Sequence, residues 1–295
     1  MKTKNLKGAS FAALVLPATL LYLAVIVVPV AVSFFLGFTE WKGFGAPRFV
    51  GLANYLRMFK DPIFLHSLRN NLLIIAVSVL GQIPLGFVLA YMLYRKLVKG
   101  TKFFEAMIFL PITVSPIVVA ILWNMVLSPV GIFPWIMRRI TGNPDYVFRF
   151  FEDRNLAILP PLFVLLWMFT GLYMIMFIAN LQRIPRSVIE AAVIDGASEP
   201  VILRKIIFPS MVGLIFTMTI FAISGSLKSF DLIFAMTGGG PARYTEVIAI
   251  YMYSNTFVYY NYGYGSAVSI VIVALSVVLI ALSRGIFKRL EDKYE

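Results

Sequence analysis

The chain has 295 residues, 60% of them hydrophobic and 14% charged, and its mean hydropathy is +0.87. Soluble domains keep about half of their residues apolar, so this composition excludes an ordinary soluble globule and points to lipid as the main solvent. The net charge of +12 reads in such a chain as a topology signal and not as a nucleic-acid footprint, and the lack of cysteine excludes disulfides and thiolate metal sites.

A crossing segment must satisfy its own backbone in hydrocarbon, which only a helix of about 20 apolar residues does alone. Six stretches qualify, so the predicted fold class is all-α integral membrane. Residues 1–9 form a polar, basic start carrying Lys2, Lys4 and Lys7, and 10–295 form one transmembrane domain. The run from Ser10 to Phe38 is too long for a signal peptide and lacks a small-residue cleavage site, so it stays as the first span. His66 follows in a polar loop without partners for a metal. The next spans are predicted at Asn71 to Tyr94 and Phe104 to Leu127. Pro29, Pro84, Pro111 and Pro116 each remove a backbone donor and predict kinks. The fourth span covers Leu156 to Ala179, the fifth Ser210 to Met236 and the sixth Tyr264 to Ile286. The N-terminus, the 95–103 and 181–206 loops and the C-terminal tail hold more than half of the 26 basic residues in the smaller share of loop positions. That density places these segments, and both termini, in the cytoplasm of a multi-pass cell-membrane protein. Trp41, Phe44, Trp135, Tyr146, Tyr259, Tyr260 and Tyr262 fall near span ends, where amphipathic rings settle.

The loop Leu181 to Pro209 is the longest predicted cytoplasmic connection. Pro185 starts a helix with Val188, Ile189, Ala192 and Val193 on one side and Glu190 elsewhere. Gly196 permits a sharp turn and a close approach of another surface. A second helix follows Ser198 to Pro200, with Val201, Ile202, Ile206 and Ile207 apolar and Arg204 and Lys205 toward headgroups, and Pro209 is expected to break it. On residue types alone, an interfacial amphipathic helix covering the bundle is the competing reading.

The residue order narrows this. Glu190, Ala191 and Ala192, then Asp195, Gly196 and Ala197, then Ile206 and Pro209 resemble the EAA signature of permease subunits in ABC importers of type I fold. Leu203 stands where these loops often carry phenylalanine, a change that keeps volume. Leu181, Gln182, Ile184 and Pro185 precede the signature as in the carbohydrate branch. Phe230-Asp231-Leu232, Thr237 to Pro241, Thr245, Tyr251, Tyr253, Phe257 and Tyr262 to Ala267 look like the first permease subunit of maltose-type importers. The resemblance implies a cytoplasmic coupling helix that seats in a groove of an ATPase. It also implies a second homologous permease, two nucleotide-binding ATPase subunits that use ATP and Mg, an extracytoplasmic sugar-binding protein, and no cofactor in this chain. Glycerol phosphate esters, carried by close relatives, are the neighbouring solute class.

Ser224, Ser226, Lys228, Ser229 and Asp231 interrupt the fifth span. A charge in hydrocarbon costs about 2.5 to 3.5 kcal/mol even on the milder insertion scale, so these residues face protein or a wet cavity. Two readings stand: helix-to-helix hydrogen bonding near the interface, or a solute path with Ser226 and Ser229 on one face and Asp231 accepting from hydroxyls. Trp167, Met168, Thr170 and Gly171 of the fourth span are the candidate opposite wall. Gly238 to Pro241 predict an extracytoplasmic turn.

Other classes fit worse. No GxxxxGK[ST] run is present to cradle a nucleotide. An ion-coupled secondary carrier wants midplane carboxylates or broken helices in paired repeats, and the spans hold almost no acids. A membrane enzyme wants an acid or histidine cluster, and one histidine does not supply it.

Overall fold

The computed structural model describes residues 2–294, with side-chain surroundings described for 11, 13–290 and 292. Among the described residues, six helical stretches are long and apolar enough to cross a membrane: Ala13–Leu36, Pro62–Tyr94, Pro116–Thr141, Leu159–Leu181, Glu199–Thr237 and Tyr262–Leu290. The chain divides into two compact units, Met1–Asp61 with Met252–Val273 and Pro62–Tyr251 with Ala274–Glu295.

In the first unit, α1 (Lys2–Tyr22) and α2 (Val28–Leu36) are joined by a π turn over Leu23–Val27, closed by the Val28 amide on the Leu23 carbonyl. The turn lies just ahead of Pro29. Proline has no N–H to donate and its ring crowds the carbonyl four residues back. One wider turn makes room for it without ending the helix. No part of the Ala13–Leu36 span is buried. Beyond it, β1 (Thr39–Glu40) pairs antiparallel with β2 (Arg48–Phe49), setting Glu40 opposite Arg48. The short helix α3 (Ala53–Lys60) follows, with Met58 buried.

The second unit opens with α4 (Pro62–Ala76), a π turn over Val77–Gln82 ahead of Pro84, and α5 (Ile83–Tyr94). The second crossing therefore starts at Pro62 and not at Asn71. His66 lies inside this helix and not in a polar loop, and its Nε2 is 2.9 Å from the Tyr244 carbonyl oxygen. The expected third span, 104–127, is divided into α6 (Thr101–Thr113) and α7 (Pro116–Leu127). Val114 and Ser115 between them are extended, with ψ of 143° and 134°. The residue before a proline avoids the helical region, and here Ser115 obeys. Pro111 stays inside α6. After α8 (Ile132–Thr141) comes α9 (Leu159–Leu181), the most buried crossing.

The loop that follows contains α10 (Arg186–Ile194) and α11 (Glu199–Ile202). Pro209 does not break the second of these helices. A π turn over Leu203–Ile207, closed by the Phe208 amide on the Leu203 carbonyl, absorbs it, and the helix continues as α12 (Phe208–Leu227). The break in the fifth span comes later, at Lys228–Phe230, before α13 (Asp231–Thr237). A loop through Gly238 to Pro241 leads to α14 (Ile248–Tyr253), and α15 (Tyr262–Tyr294) is the sixth crossing.

Two apolar clusters make the core of the second unit, and α9 serves both. Leu162, Leu165 and Met168 pack with Val119 and Ala120 of α7 and Leu232, Ile233 and Met236 of α13. Met174, Phe177 and Leu181 pack with Ile83 and Ala90 of α5 and Met211 and Met218 of α12. Among lipid-solvated helices such contact, and not water release, holds the elements together, so small residues at crossings matter. Gly171 is such a residue: a Cβ there would lie 2.9 Å from Phe109 Cα of α6.

In the first unit the start of α15 meets the hairpin. The Gly263 amide donates to the Trp41 carbonyl at 3.2 Å, and the Trp41 and Tyr262 rings lie 5.5 Å apart. The Tyr55 hydroxyl is buried without a hydrogen-bond partner among the described residues, and burial holds its pKa above the ordinary tyrosine value.

Candidate functional site

Two regions of the second unit carry the sequence-predicted residues. The first is α10. Pro185, with φ −59° and ψ 130°, sets the chain entering the helix. At the far end the Ala197 amide reaches the Ala192 carbonyl at 2.9 Å and the Gly196 amide reaches Val193 at 3.0 Å. This closure needs a left-handed residue at the turn, and Gly196 has φ +80°. No atom lies within 4 Å of a Cβ built on Gly196, so its backbone is open to an approaching surface and the glycine is required by conformation.

Ile189, Ala192 and Ala197 pack on the core, as do Ile184, Leu203 and Ile206. Val188 and Val193, expected on the same apolar side, are exposed instead, and Ile194 is 85% exposed. Glu190, Ala191 and Asp195 also face outward. A recess of about 650 Å³ opens between Tyr94, Arg95 and Lys96 at the end of α5 and Arg186, Glu190 and Ile194 of α10. Apolar side chains ringed by charge in a recess mark an interaction surface. The loop is tied to α5 by Glu199, which accepts from Arg95 Nη2 at 2.8 Å and from the Tyr91 hydroxyl. This tie was missed in the sequence; a lone glutamate and an arginine 104 residues apart give no pattern to read.

The second region is a cavity of about 620 Å³ where the two apolar clusters meet. Its rim is the broken segment of the fifth crossing. Ser226, Lys228, Ser229, Phe230 and Asp231 line it, facing Ser78 and Gln82 of the second crossing and Pro116 at the other helix break. Irregular backbone at membrane depth is tolerated where it lines a cavity or is buried in protein; the 228–230 break lines this cavity, and at the other break Val114 packs on the first cluster while Ser115 is exposed. The backbone amides of Lys228 and Ser229 donate to the Ser224 and Ser226 carbonyls at 3.3 and 3.2 Å, whereas the side chains of Ser229, Lys228 and Asp231 make no hydrogen bond or ion pair among the described residues. Their hydroxyl, ammonium and carboxylate are available to a polyhydroxylated solute, and Phe169, Tyr173 and Phe221 supply apolar wall.

Of the predicted path residues, the structure brings together Ser226, Ser229 and Asp231. The predicted wall residues on α9 lie elsewhere. Trp167 faces outward beside Trp123, Met168 is buried in the first cluster, the Thr170 hydroxyl donates to the Leu166 carbonyl at 2.6 Å, and Gly171 packs on α6. Leu165, Phe169, Leu172, Tyr173 and Met176 line the cavity in their place, at the i, i+4, i+7, i+8 and i+11 spacing of one helix face.

A buried polar set behind the cavity also escaped the sequence reading. Asn71 donates from Nδ2 to the Ser226 carbonyl and accepts from the Ile248 amide, each at 2.8 Å. Asn70 Nδ2 donates to the carbonyls of Tyr244 and Glu246 at 2.9 and 2.8 Å. Ser226 Oγ is 3.3 Å from Ser78 Oγ, and Gln82 Nε2 donates to the Leu165 carbonyl at 2.9 Å. Asn71, Ser78 and Gln82 fall seven and four residues apart, and that spacing was the available signal. No group of three or more His, Cys, Asp or Glu side chains that could hold a metal occurs among the described residues.

Residues 82–294 match the family model of the inner membrane component of binding-protein-dependent transport systems. The chain belongs to that family. Among relatives of this inner membrane component, the probable ABC transporter permease protein YurN of Bacillus subtilis is 30% identical over 93% of this chain and 95% of its own length. The multiple sugar-binding transport system permease protein MsmF of Streptococcus mutans is 32% identical over 85% and 87%. A crystal structure of a bacterial ABC transporter involved in the import of the acidic polysaccharide alginate aligns with a TM-score of 0.83 at 21% identity, covering 97% of this chain and 98% of that one. That likeness fixes the fold of the inner membrane component as an ABC importer permease fold. The family is one of transport permeases, a non-enzymatic class.

Proposed function

We propose that this chain is the permease subunit of an ATP-binding cassette importer that carries a sugar or oligosaccharide across the cell membrane. The observation that carries the reading is the uninterrupted helix from Glu199 to Leu227, rooted beside exposed α10 and ending at the cavity rim. Such a connection passes displacement from a surface helix to a solute passage with no chemistry in this chain. ATP and Mg are used by two partner ATPase subunits, and this subunit holds no cofactor.

Glu190 pairs with a basic residue of the ATPase, Ala191, Ala192 and Ala197 keep the surface low, and Asp195 and Gly196 shape the turn that enters its groove. Ile206 and Pro209 fix the root of the fifth crossing. A second homologous permease completes the passage; the first crossing, none of whose span is buried, supports a partner in the bilayer. An extracytoplasmic sugar-binding protein delivers the solute. The density of Lys and Arg in alternate loops supports cytoplasmic termini. Ser226, Ser229 and Asp231 contact solute hydroxyls. Lys228 on the same rim favours, as a second reading, a glycerol phosphate ester.

The test is uptake into proteoliposomes holding the full complex, with a panel of saccharides and sn-glycerol 3-phosphate. Uptake that requires ATP and survives an ionophore supports the importer; uptake abolished by the ionophore makes the chain an ion-coupled carrier. Truncating one member of a partly desolvated charge pair costs about 2 to 5 kcal/mol. Glu190→Ala and Gly196→Asp are therefore expected to abolish uptake while membrane insertion is unchanged. Wild-type uptake in both variants would remove α10 as the docking element. Ser229→Ala shifts preference among the panel if the rim is the solute path, and an unchanged profile would take Ser229 off it.

A further inference from the structure

The first unit holds a polar groove of about 450 Å³ that the transport reading leaves unused. Among the described residues its basic lining residues are Lys42, Arg48 and Arg57, and its only acid is Glu40. Glu40 is engaged with Arg48 at 2.6 Å. Two cations are thus in excess, Lys42 at the hairpin and Arg57 on α3, whose guanidinium lies 5.0 Å above the Tyr264 ring. Asn261 completes the far wall.

The groove stands where two membrane crossings end. The hairpin follows directly on the span Ala13–Leu36, and Asn261 and Tyr264 flank the start of the span Tyr262–Leu290. Side chains beside the groove are apolar and uncovered. Leu52, Leu56 and Phe59 at and along α3 are 61%, 62% and 52% exposed, four and three residues apart on one face, and Phe44 and Phe49 of the hairpin are 91% and 71% exposed. A helix with a basic side and a bare apolar side at a span end lies in the plane of the interface, with the apolar side in acyl chains. The groove then opens at headgroup depth, where a single phosphodiester meets two unmatched cations and its chains continue onto Leu52, Leu56 and Phe59.

We infer that this groove is a binding site for the phosphate of an anionic phospholipid. Arg57, placed over the Tyr264 ring, supplies a planar fork to the phosphate oxygens and Lys42 a mobile point charge. The site is separate from the solute cavity, and it stands or falls independently of what the protein transports.

The test is native mass spectrometry of the full chain purified in detergent and titrated with phosphatidylglycerol or phosphatidylcholine. The wild-type chain is expected to hold one phosphatidylglycerol at least fivefold more tightly than phosphatidylcholine. Lys42→Gln, an exposed position whose change cannot unfold the chain, is expected to remove most of that preference, and Lys42→Gln with Arg57→Gln all of it. Lys60→Ala, a cation on the same helix but outside the groove, is expected to keep it. Equal binding of the two lipids, or an unaltered preference in Lys42→Gln, would overturn the site. So would displacement of phosphatidylglycerol by 10 mM inorganic phosphate (about the level at which a free-anion site fills at millimolar affinity), since the groove would then read free phosphate and not lipid.

Discussion

The second and fifth crossings meet the same obstacle and end differently. Each contains a proline, Pro84 and Pro209, and each absorbs it in a π turn placed just before it, with the pre-proline residues Ile83 and Phe208 still helical at ψ −54° and −46°. The second crossing then runs unbroken to Tyr94, whereas the fifth comes apart at Lys228–Phe230, where there is no proline at all. Proline is therefore not what divides this helix. Division occurs where freed backbone groups find other partners: the Ser226 carbonyl accepts from Asn71 as well as from the Ser229 amide, and Ser229 and Asp231 face a cavity. Where no such partner exists, the backbone stays in the helix and widens by one residue.

The strongest way to break this comparison is to remove the outside partner. Asn71→Leu keeps the volume but strands the Ile248 amide, worth about 1 to 3 kcal/mol when buried and unmet, while the Ser226 carbonyl keeps the Ser229 amide at 3.2 Å. A loss of about 1 to 3 kcal/mol is expected, read as a lower thermal unfolding midpoint in detergent. A midpoint equal to wild type would mean that the break holds itself. Next in size is Gly196→Ala at the root of the fifth crossing. A left-handed alanine costs about 1 to 2 kcal/mol, and proteolysis of the 195–199 segment is expected to speed up while the crossings stay protected. Pro84→Ala and Pro209→Ala sharpen the comparison from the other side. Proline and alanine differ by about 3 kcal/mol in a regular helix, yet with the π turns already absorbing the ring, gains well below that are expected from unfolding midpoints. A full gain would show that the turns are strained. Breaking the Arg95–Glu199 tie, exposed on both sides, is expected to cost only about 0.2 to 1 kcal/mol, measured as a double-mutant cycle of Arg95→Ala and Glu199→Ala. Smallest is Tyr55→Phe in the first unit, which deletes an unpartnered hydroxyl and is expected to leave stability unchanged or slightly raised.

The six crossings and the helix of the 181–209 loop were legible because length, apolarity and punctuation by Pro185 and Gly196 are local properties. The breaks were not. Hydropathy averages over a window and passes straight across Val114 and Ser115, and the polar group at 224–231 reads equally as a helix face or as an interruption. The cavity face of α9 was misplaced by a residue or two because that helix is apolar on nearly every side: Leu165, Phe169, Leu172 and Met176 carry no contrast against Trp167 or Met168. His66 looked like loop polarity, and Asn70 drew no reading, because their partners, carbonyls of Tyr244 and Glu246, are more than 170 residues away in sequence.

The helix that begins at Glu199 reaches Leu227 without interruption, a rod of about 40 Å at about 1.5 Å per residue. Rotating it by about 5° about its foot would swing its tip sideways by about 3.5 Å, roughly the width of one hydroxyl-to-hydroxyl contact. A nudge too slight to register on the surface helix thereby becomes, at the tip, a shift large enough to make or break a hydrogen bond at the cavity rim.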